Sequence, residues 1–324
     1  MRAPIATRAL ITAVAAALAL AGCASDDDAS SDVTPATPAD RGAAEQALAK
    51  VESSSDVTVN RYLYPTTTGS RDNRQNWADV YLPPGEHERD SVPLVVLIHG
   101  GGWQSKLGAD VFVSLSKRLA ERGLAVYNLE YRRVGSGGGW PITFKDVAAA
   151  LDYVPHVQAA EPEISTDNAV VAGHSAGGQL AMWSGTRHNL EPDEIGAGPA
   201  FRPTYVISLA GALDMRQAVL EGNPRARRAM GGLPKEVPER YASIDPIQNI
   251  DPEIPIVAMA GSADKVLNPS MSANYVKAVK KAGGRGSLVM FPGVDHTQIV
   301  ASDSPTFPQI IETISRAAHD TNRG

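Results

Sequence analysis

From about residue 54 to residue 318 the chain alternates short apolar runs with longer stretches of helical period. Segments 56–64 and 75–82 switch between apolar and polar residues, and the Asn, Thr, Gly and Arg residues between them predict an opening hairpin. Residues 92–98, Val-Pro-Leu-Val-Val-Leu-Ile, are almost wholly apolar, as a strand covered on both faces must be. Further strands are predicted at 124–130, 169–172, 204–210, 254–260 and 287–291. Helices are predicted at 109–122, 143–159, from Ser175 to about 186, and at 270–281 and 306–318. Strands alternating with helices imply a mostly parallel sheet of about eight strands with helices on both faces, an α/β architecture. Residues 215–250 break the rhythm with Arg-Ala-Arg-Arg and several Pro and Gly, just beyond a predicted strand end. Ligand-facing loops of α/β folds lie there, so this stretch reads equally as a small cap over a site or as a surface excursion.

The N-terminus follows another pattern. Arg2 and Arg8 precede an apolar run over residues 9–22 that is too short to span a bilayer. It ends in Leu20-Ala21-Gly22-Cys23, which resembles the lipobox of bacterial lipoprotein signals. That resemblance implies cleavage after residue 22, lipidation of Cys23 and export to the cell envelope. The alternative is a plain secretory signal with an incidental cysteine. Residues 24–40 are small, acidic and proline-bearing, so they read as a tether, and residues 41–52 as a possible short helix. The expected organisation is therefore a signal at 1–22, anchor and tether at 23–53 and one domain at 54–320. Cys23 is the only cysteine, which rules out internal disulfides, a cysteine nucleophile in the domain and a thiolate zinc site. The net charge is −6, and −8 once Arg2 and Arg8 leave with the signal. No basic cluster offsets that balance, so nucleic acid is not an expected partner. The only membrane association expected is through the lipid.

The chemistry concentrates in two glycine-rich segments. Residues 173–177, Gly-His-Ser-Ala-Gly, form a G-x-S-x-G turn that lifts the Ser175 hydroxyl off a strand-to-helix bend. Residues 99–103, His-Gly-Gly-Gly-Trp, follow the apolar 92–98 strand and offer bare backbone N–H groups to a developing oxyanion. A serine hydroxyl needs a base within hydrogen-bond reach and an acid to orient that base. Asp264 follows the predicted strand at 254–260, and His296 follows that at 287–291. Both therefore fall at the sheet edge from which Ser175 projects, in the order Ser, Asp, His. A lone G-x-S-x-G arises by chance in roughly a tenth of chains this long, but the full set in the right strand contexts is specific.

On these residues, together with Glu130-Tyr131-Arg132, Trp140-Pro141, Asp146 and Asp295, the chain resembles the α/β-hydrolase superfamily. The resemblance lies with the hormone-sensitive-lipase-like and acetyl-xylan or feruloyl-esterase-like branch, near kynurenine formamidases, and covers about 54–320. It implies an oxyanion hole formed by the N–H groups of Gly101, Gly102 and Ala176, with His99, Gly100 and Trp103 in support. It implies catalysis by Ser175, His296 and Asp264 on a small-molecule ester, without metal or organic cofactor. A formamidase activity, or a non-catalytic binding module on the same scaffold, are the alternatives.

Other residues carry plainer expectations. Asp264 could instead accept turn N–H groups, and Asp251 is the reserve acid. His87, His156, His188 and His319 are expected to be solvated. His174 is expected to shape the elbow, and His99 to brace the glycine loop. Asp146 is expected in the first turn of its helix, favouring the dipole, with support of the residues around the site as the alternative. Asp295 reads as a surface carboxylate, and Asp26, Asp27 and Asp28 as hydrated residues of the tether. Oligomeric state leaves no mark in the sequence.

Overall fold

The computed structural model describes residues 56–104 and 106–320. The expected signal, Cys23, the tether and the 41–52 helix lie outside the described residues.

Eight strands form one sheet in the order β1-β2-β4-β3-β5-β6-β7-β8. β1 (Thr58–Leu63) and β2 (Trp77–Leu82) make the antiparallel opening hairpin, and β2 continues antiparallel to β4 (Ala125–Leu129). All other pairings are parallel: β3 (Val92–Ile98) with β4 and with β5 (Ile164–His174), then β6 (Tyr205–Leu209), β7 (Ile256–Gly261) and β8 (Gly286–Phe291). This is the α/β-hydrolase fold.

The apolar run of β3 explains itself through its two faces. Leu94, Val96 and Ile98 enter one core layer while Val95 and Leu97 enter the other. The first layer is closed by α2 (Ile142–Asp152), α4 (Ala176–Ser184) and α8 (Ser270–Lys281), through residues such as Phe144, Trp183 and Met271. The second is closed by α1 (Val113–Ala120) and α9 (Phe307–His319), through Leu115, Leu119, Ile310 and Ile314. A strand covered on both sides has no polar face to offer.

Several boundaries differ from expectation, two of them for a plain physical reason. The helix expected at 143–159 is split into α2 and α3 (Val154–Ala160), because Pro155 has no N–H to carry the ladder onward. β5 begins five residues before the expected start, since Ile164 and Ser165 still pair with Val92 and Pro93. Polar Thr166, Asp167 and Asn168 are tolerated at this solvent end of the strand.

The stretch after β6 folds into three short helices, α5 (Met215–Leu220), α6 (Pro224–Met230) and α7 (Pro238–Ile244). Met215, Ala218, Ala226, Ala229, Met230, Tyr241 and Ile244 are buried in the first core layer. It is therefore an integral cap rather than a loose excursion. Among the described residues no helix is long and apolar enough to cross a membrane.

Candidate active site

Ser175 stands between β5 and α4 with φ 56° and ψ −117°, a conformation that non-glycine residues rarely adopt. The surrounding glycines make this bend feasible. A Cβ on Gly177 would meet the Ile98 carbonyl oxygen at 1.9 Å, and one on Gly173 the Gly177 carbonyl oxygen at 2.1 Å. Only bare backbone lets α4 cross β3 and β5 so closely. The Ser175 N–H donates to the Leu209 carbonyl at 2.9 Å, which fastens the bend to β6.

His296 and Asp264 arrive from the ends of β8 and β7. His296 Nε2 lies 2.8 Å from Ser175 Oγ, and its Nδ1 lies 2.6 Å from Asp264 Oδ2. Ser175 and His296 are each 7% exposed. Asp264 also accepts from the N–H groups of Val266 and Leu267 on its other oxygen, at 2.8 and 3.0 Å. The two readings of Asp264 thus describe two oxygens of one carboxylate. Burial alone would raise its pKa, but the His296 hydrogen bond and those two N–H groups hold it below the usual carboxylate value. A carboxylate so held stays ionised and keeps the Nδ1 proton of His296 in place, leaving Nε2 free to accept from Ser175.

His174 donates from Nε2 to the His296 carbonyl at 2.8 Å. Its surroundings push its pKa down to about 4, through desolvation and then through the neighbouring His296 ring. It is neutral near pH 7 and adds no charge beside His296. Asp295, partly exposed, accepts from the N–H groups of Thr297 and Gln298 and so fixes the turn that carries His296.

The glycine loop lies directly on this elbow. A Cβ on Gly100 would stand 2.9 Å from His174 Nδ1 and 3.2 Å from the Ser175 Cβ. Gly101 and Gly102 have φ of 110° and 63°, and among the described residues no acceptor takes the N–H of Gly101, Gly102 or Ala176. Ala176 opens α4, so its N–H also points with the positive end of the helix dipole. His99 is bonded on both sides: Nδ1 lies 2.8 Å from the Gly100 carbonyl oxygen and Nε2 3.0 Å from Glu130 Oε1. The ring stacks on Tyr131, whose hydroxyl donates to the His99 carbonyl at 2.9 Å. Trp103 is buried and donates to Gln179 of α4 at 3.2 Å.

Glu130 is the joint that sequence reasoning left without a role. It accepts from Tyr131 N–H at 2.8 Å and Ala109 N–H at 3.0 Å, and it pairs with His99 and Arg133. The start of the glycine loop and Ala109, beyond its far end, are thereby tied to one buried carboxylate. Burial would raise its pKa, yet those partners hold it below the ordinary value. The available signal was position: Glu130 directly follows an apolar strand, and Asp264 lies a few residues past another.

Three expectations are corrected. Asp146 lies beyond the first turn of α2 and is fully buried, where it accepts from Arg132 at 2.7 Å and Asn76 at 2.9 Å. A buried carboxylate needs a paired cation more than a helix dipole. His188 is not simply solvated but pairs with Asp251, which also binds Arg202. Asp251 precedes β7 and so sits at the end opposite the elbow, which removes it as reserve acid. His87, His156 and His319 are exposed as expected.

A family model described as BD-FAE matches residues 78–279, more than half of the chain. The chain belongs to the BD-FAE family. This BD-FAE protein is 24% identical to esterase LipC of Mycobacterium tuberculosis, over 63% of this chain and 52% of that one. Among solved structures it is similar to a bifunctional GH43-CE protein of Bacteroides eggerthii (25% identity, TM-score 0.65, covering 80% of this chain and 38% of that one). It also matches a butyrate-bound esterase of Thermogutta terrifontis at 23% identity and TM-score 0.63, covering 79% and 91% of the two chains. The chain thus spans about half the length of its mycobacterial relative.

Proposed function

We propose that the protein is a serine hydrolase of carboxylic esters with short or acetyl and feruloyl-type acyl groups. The observation that carries this reading is the continuous line from Asp264 through His296 to a strained Ser175, at 2.6 and 2.8 Å. His296 Nε2 takes the Ser175 hydroxyl proton as Oγ attacks the ester carbonyl. The N–H groups of Gly101, Gly102 and Ala176 receive the tetrahedral oxyanion, where preorganised donors are worth several kcal/mol. The imidazolium then passes its proton to the departing alkoxide, leaving an acyl-serine. Water loses a proton to the same nitrogen, attacks, and releases the acid. Asp264 holds the imidazole orientation throughout. The butyrate-bound esterase is in keeping with a short acyl chain, and a carbohydrate esterase from gut microbiota of similar fold leaves carbohydrate esters among the substrates to test. Export and lipid anchoring at Cys23 complete the proposal and place the enzyme on the cell envelope.

A fluorophosphonate probe should label the wild-type chain and not Ser175→Ala. Absence of labelling on folded protein would overturn the mechanism. A panel of p-nitrophenyl esters from acetate to laurate, with acetylated xylan, reads the acyl range. Faster turnover of N-formylkynurenine than of p-nitrophenyl acetate would replace the ester by a formamide.

A further inference from the structure

The cap supplies a cation beside the glycine loop, Arg225, that no carboxylate among the described residues pairs with. Asn223 accepts from the N–H groups of Arg225 and Ala226 and so fixes the start of α6. The stem of Arg225 lies across the glycine loop: a Cβ on Gly102 would meet Arg225 Cδ at 2.6 Å and its Cβ at 3.4 Å. Its side chain is nevertheless exposed. Among the described residues no carboxylate lies within ion-pair distance of Arg225 or of Lys265.

Both cations line one groove of about 620 Å³ between α5–α6 and the loop that carries Asp264. Ala218, Leu267 and Met271 give it apolar surface, and Asp264 bounds it. Asp264 is committed to His296, and Glu221, the other acid on the groove, accepts from Gln217 at 2.7 Å. Two unpaired cations beside an apolar wall, in a chain of net charge −6, make a local site for an anion attached to an apolar body. Arg225 is the better placed of the two, since its fork suits a carboxylate and its stem is already held by the loop.

We infer that Arg225, with Lys265 across the groove, is a specificity residue that favours esters bearing a second, ionised carboxylate. This rests on the ester-hydrolase reading and names the substrate class for it. The carboxylate could belong to the acyl part, as in a dicarboxylic half-ester, or to the alcohol part, as in an acylated hydroxybenzoate; the pairing chemistry is the same.

The full chain is assayed on two matched pairs of esters. Mono-p-nitrophenyl succinate against p-nitrophenyl butyrate reads the acyl side, and 4-acetoxybenzoate against 4-acetoxybenzamide reads the alcohol side. The anionic-to-neutral ratio of kcat/KM should fall about five- to tenfold in Arg225→Gln on one of the two arms, as expected for a partly exposed charged hydrogen bond. Arg225→Lys should recover part of it, and added salt should erode the wild-type ratio. Arg228→Gln, on the same helix but outside the groove, should leave the ratio unchanged. A ratio unaffected by Arg225→Gln on both arms, or lowered equally by Arg228→Gln, overturns the inference. NMR titration with succinamate and with benzoate reads the site without turnover. Weaker binding of either in Arg225→Gln supports it, and binding indifferent to the substitution sinks it, even if the neutral esters proved inert and the hydrolase reading failed.

Discussion

The His296–Asp264 and His99–Glu130 pairs are built from the same parts at the same edge of the sheet. In each, a ring nitrogen lies at hydrogen-bond distance from a buried carboxylate, at 2.6 and 3.0 Å. They differ in what the other nitrogen meets. For His296 it is the Ser175 hydroxyl, which has a proton to give; for His99 it is the Gly100 carbonyl, which has none. The carboxylates differ as well. Asp264 has one oxygen for its histidine and uses the other on its own loop, whereas Glu130 spans His99, Tyr131, Ala109 and Arg133. A histidine–carboxylate pair is therefore neither catalytic nor structural by composition. On the mechanism proposed above, the third atom decides.

The strongest way to break this comparison is to remove the two histidines in turn. His296→Ala and Ser175→Ala should each lower turnover of p-nitrophenyl acetate by at least about 10⁴-fold while leaving the urea midpoint nearly unchanged. His99→Ala should do the reverse in kind, with a lowered midpoint and a lesser loss of rate. Equal rate losses in the two histidine variants, with both proteins equally stable, would erase the distinction.

The carboxylates sharpen it. Asp264→Asn keeps the shape but no longer enforces the tautomer, and turnover should fall about 10³- to 10⁴-fold. Glu130→Gln leaves Arg133 underpaired and turns an amide toward N–H groups that need acceptors. Breaking one partner of such a buried cluster should cost about 2–4 kcal/mol by urea denaturation. Rate should fall only about tenfold, as the glycine loop loosens. A Glu130→Gln enzyme as slow as Asp264→Asn but fully stable would make Glu130 part of the chemistry.

Much of this was legible before the structure because it depends on short-range rules. Eight strands, their alternation with helices and the placement of Ser175, Asp264 and His296 at strand ends all follow from runs of a few residues. The apolar β3 and the glycines around Ser175 have local signatures, since a strand covered on both faces and a tight crossing each admit few residue types. The partners of Asp146, His188 and Glu130 were not legible. Asp146 meets Arg132 and Asn76, and His188 meets Asp251, across separations that no periodicity encodes. The cap was half legible: its break in rhythm was plain, but the contact of Arg225 with Gly102 joins residues more than 100 positions apart.

The smallest expected effect contrasts Glu130 with another buried carboxylate. Asp245 is fully buried beneath the cap and accepts from the N–H groups of Met215 and Arg216 at 2.9 and 3.2 Å. Desolvation raises its pKa to about 7, with the neighbouring Asp214 adding to the rise and Arg216 and the two N–H groups opposing it. Glu130 is shifted the other way, so the two respond to pH with opposite sign. Stability from Glu130 is complete above its unfolded pKa of about 4.3 and fades as pH falls below that. For Asp245 the unfolded carboxyl ionises near 3.9 while the folded one keeps its proton to about 7, so stability falls as pH rises between those values. Asp245→Asn mimics the protonated acid and removes that slope. Urea midpoints at pH 5 and pH 8 should therefore shift by about 1–2 kcal/mol in favour of the Asn variant at the higher pH. Parallel stability curves for the two proteins would mean that Asp245 ionises freely, and that the cap is tied down by its apolar contacts and not by this carboxyl.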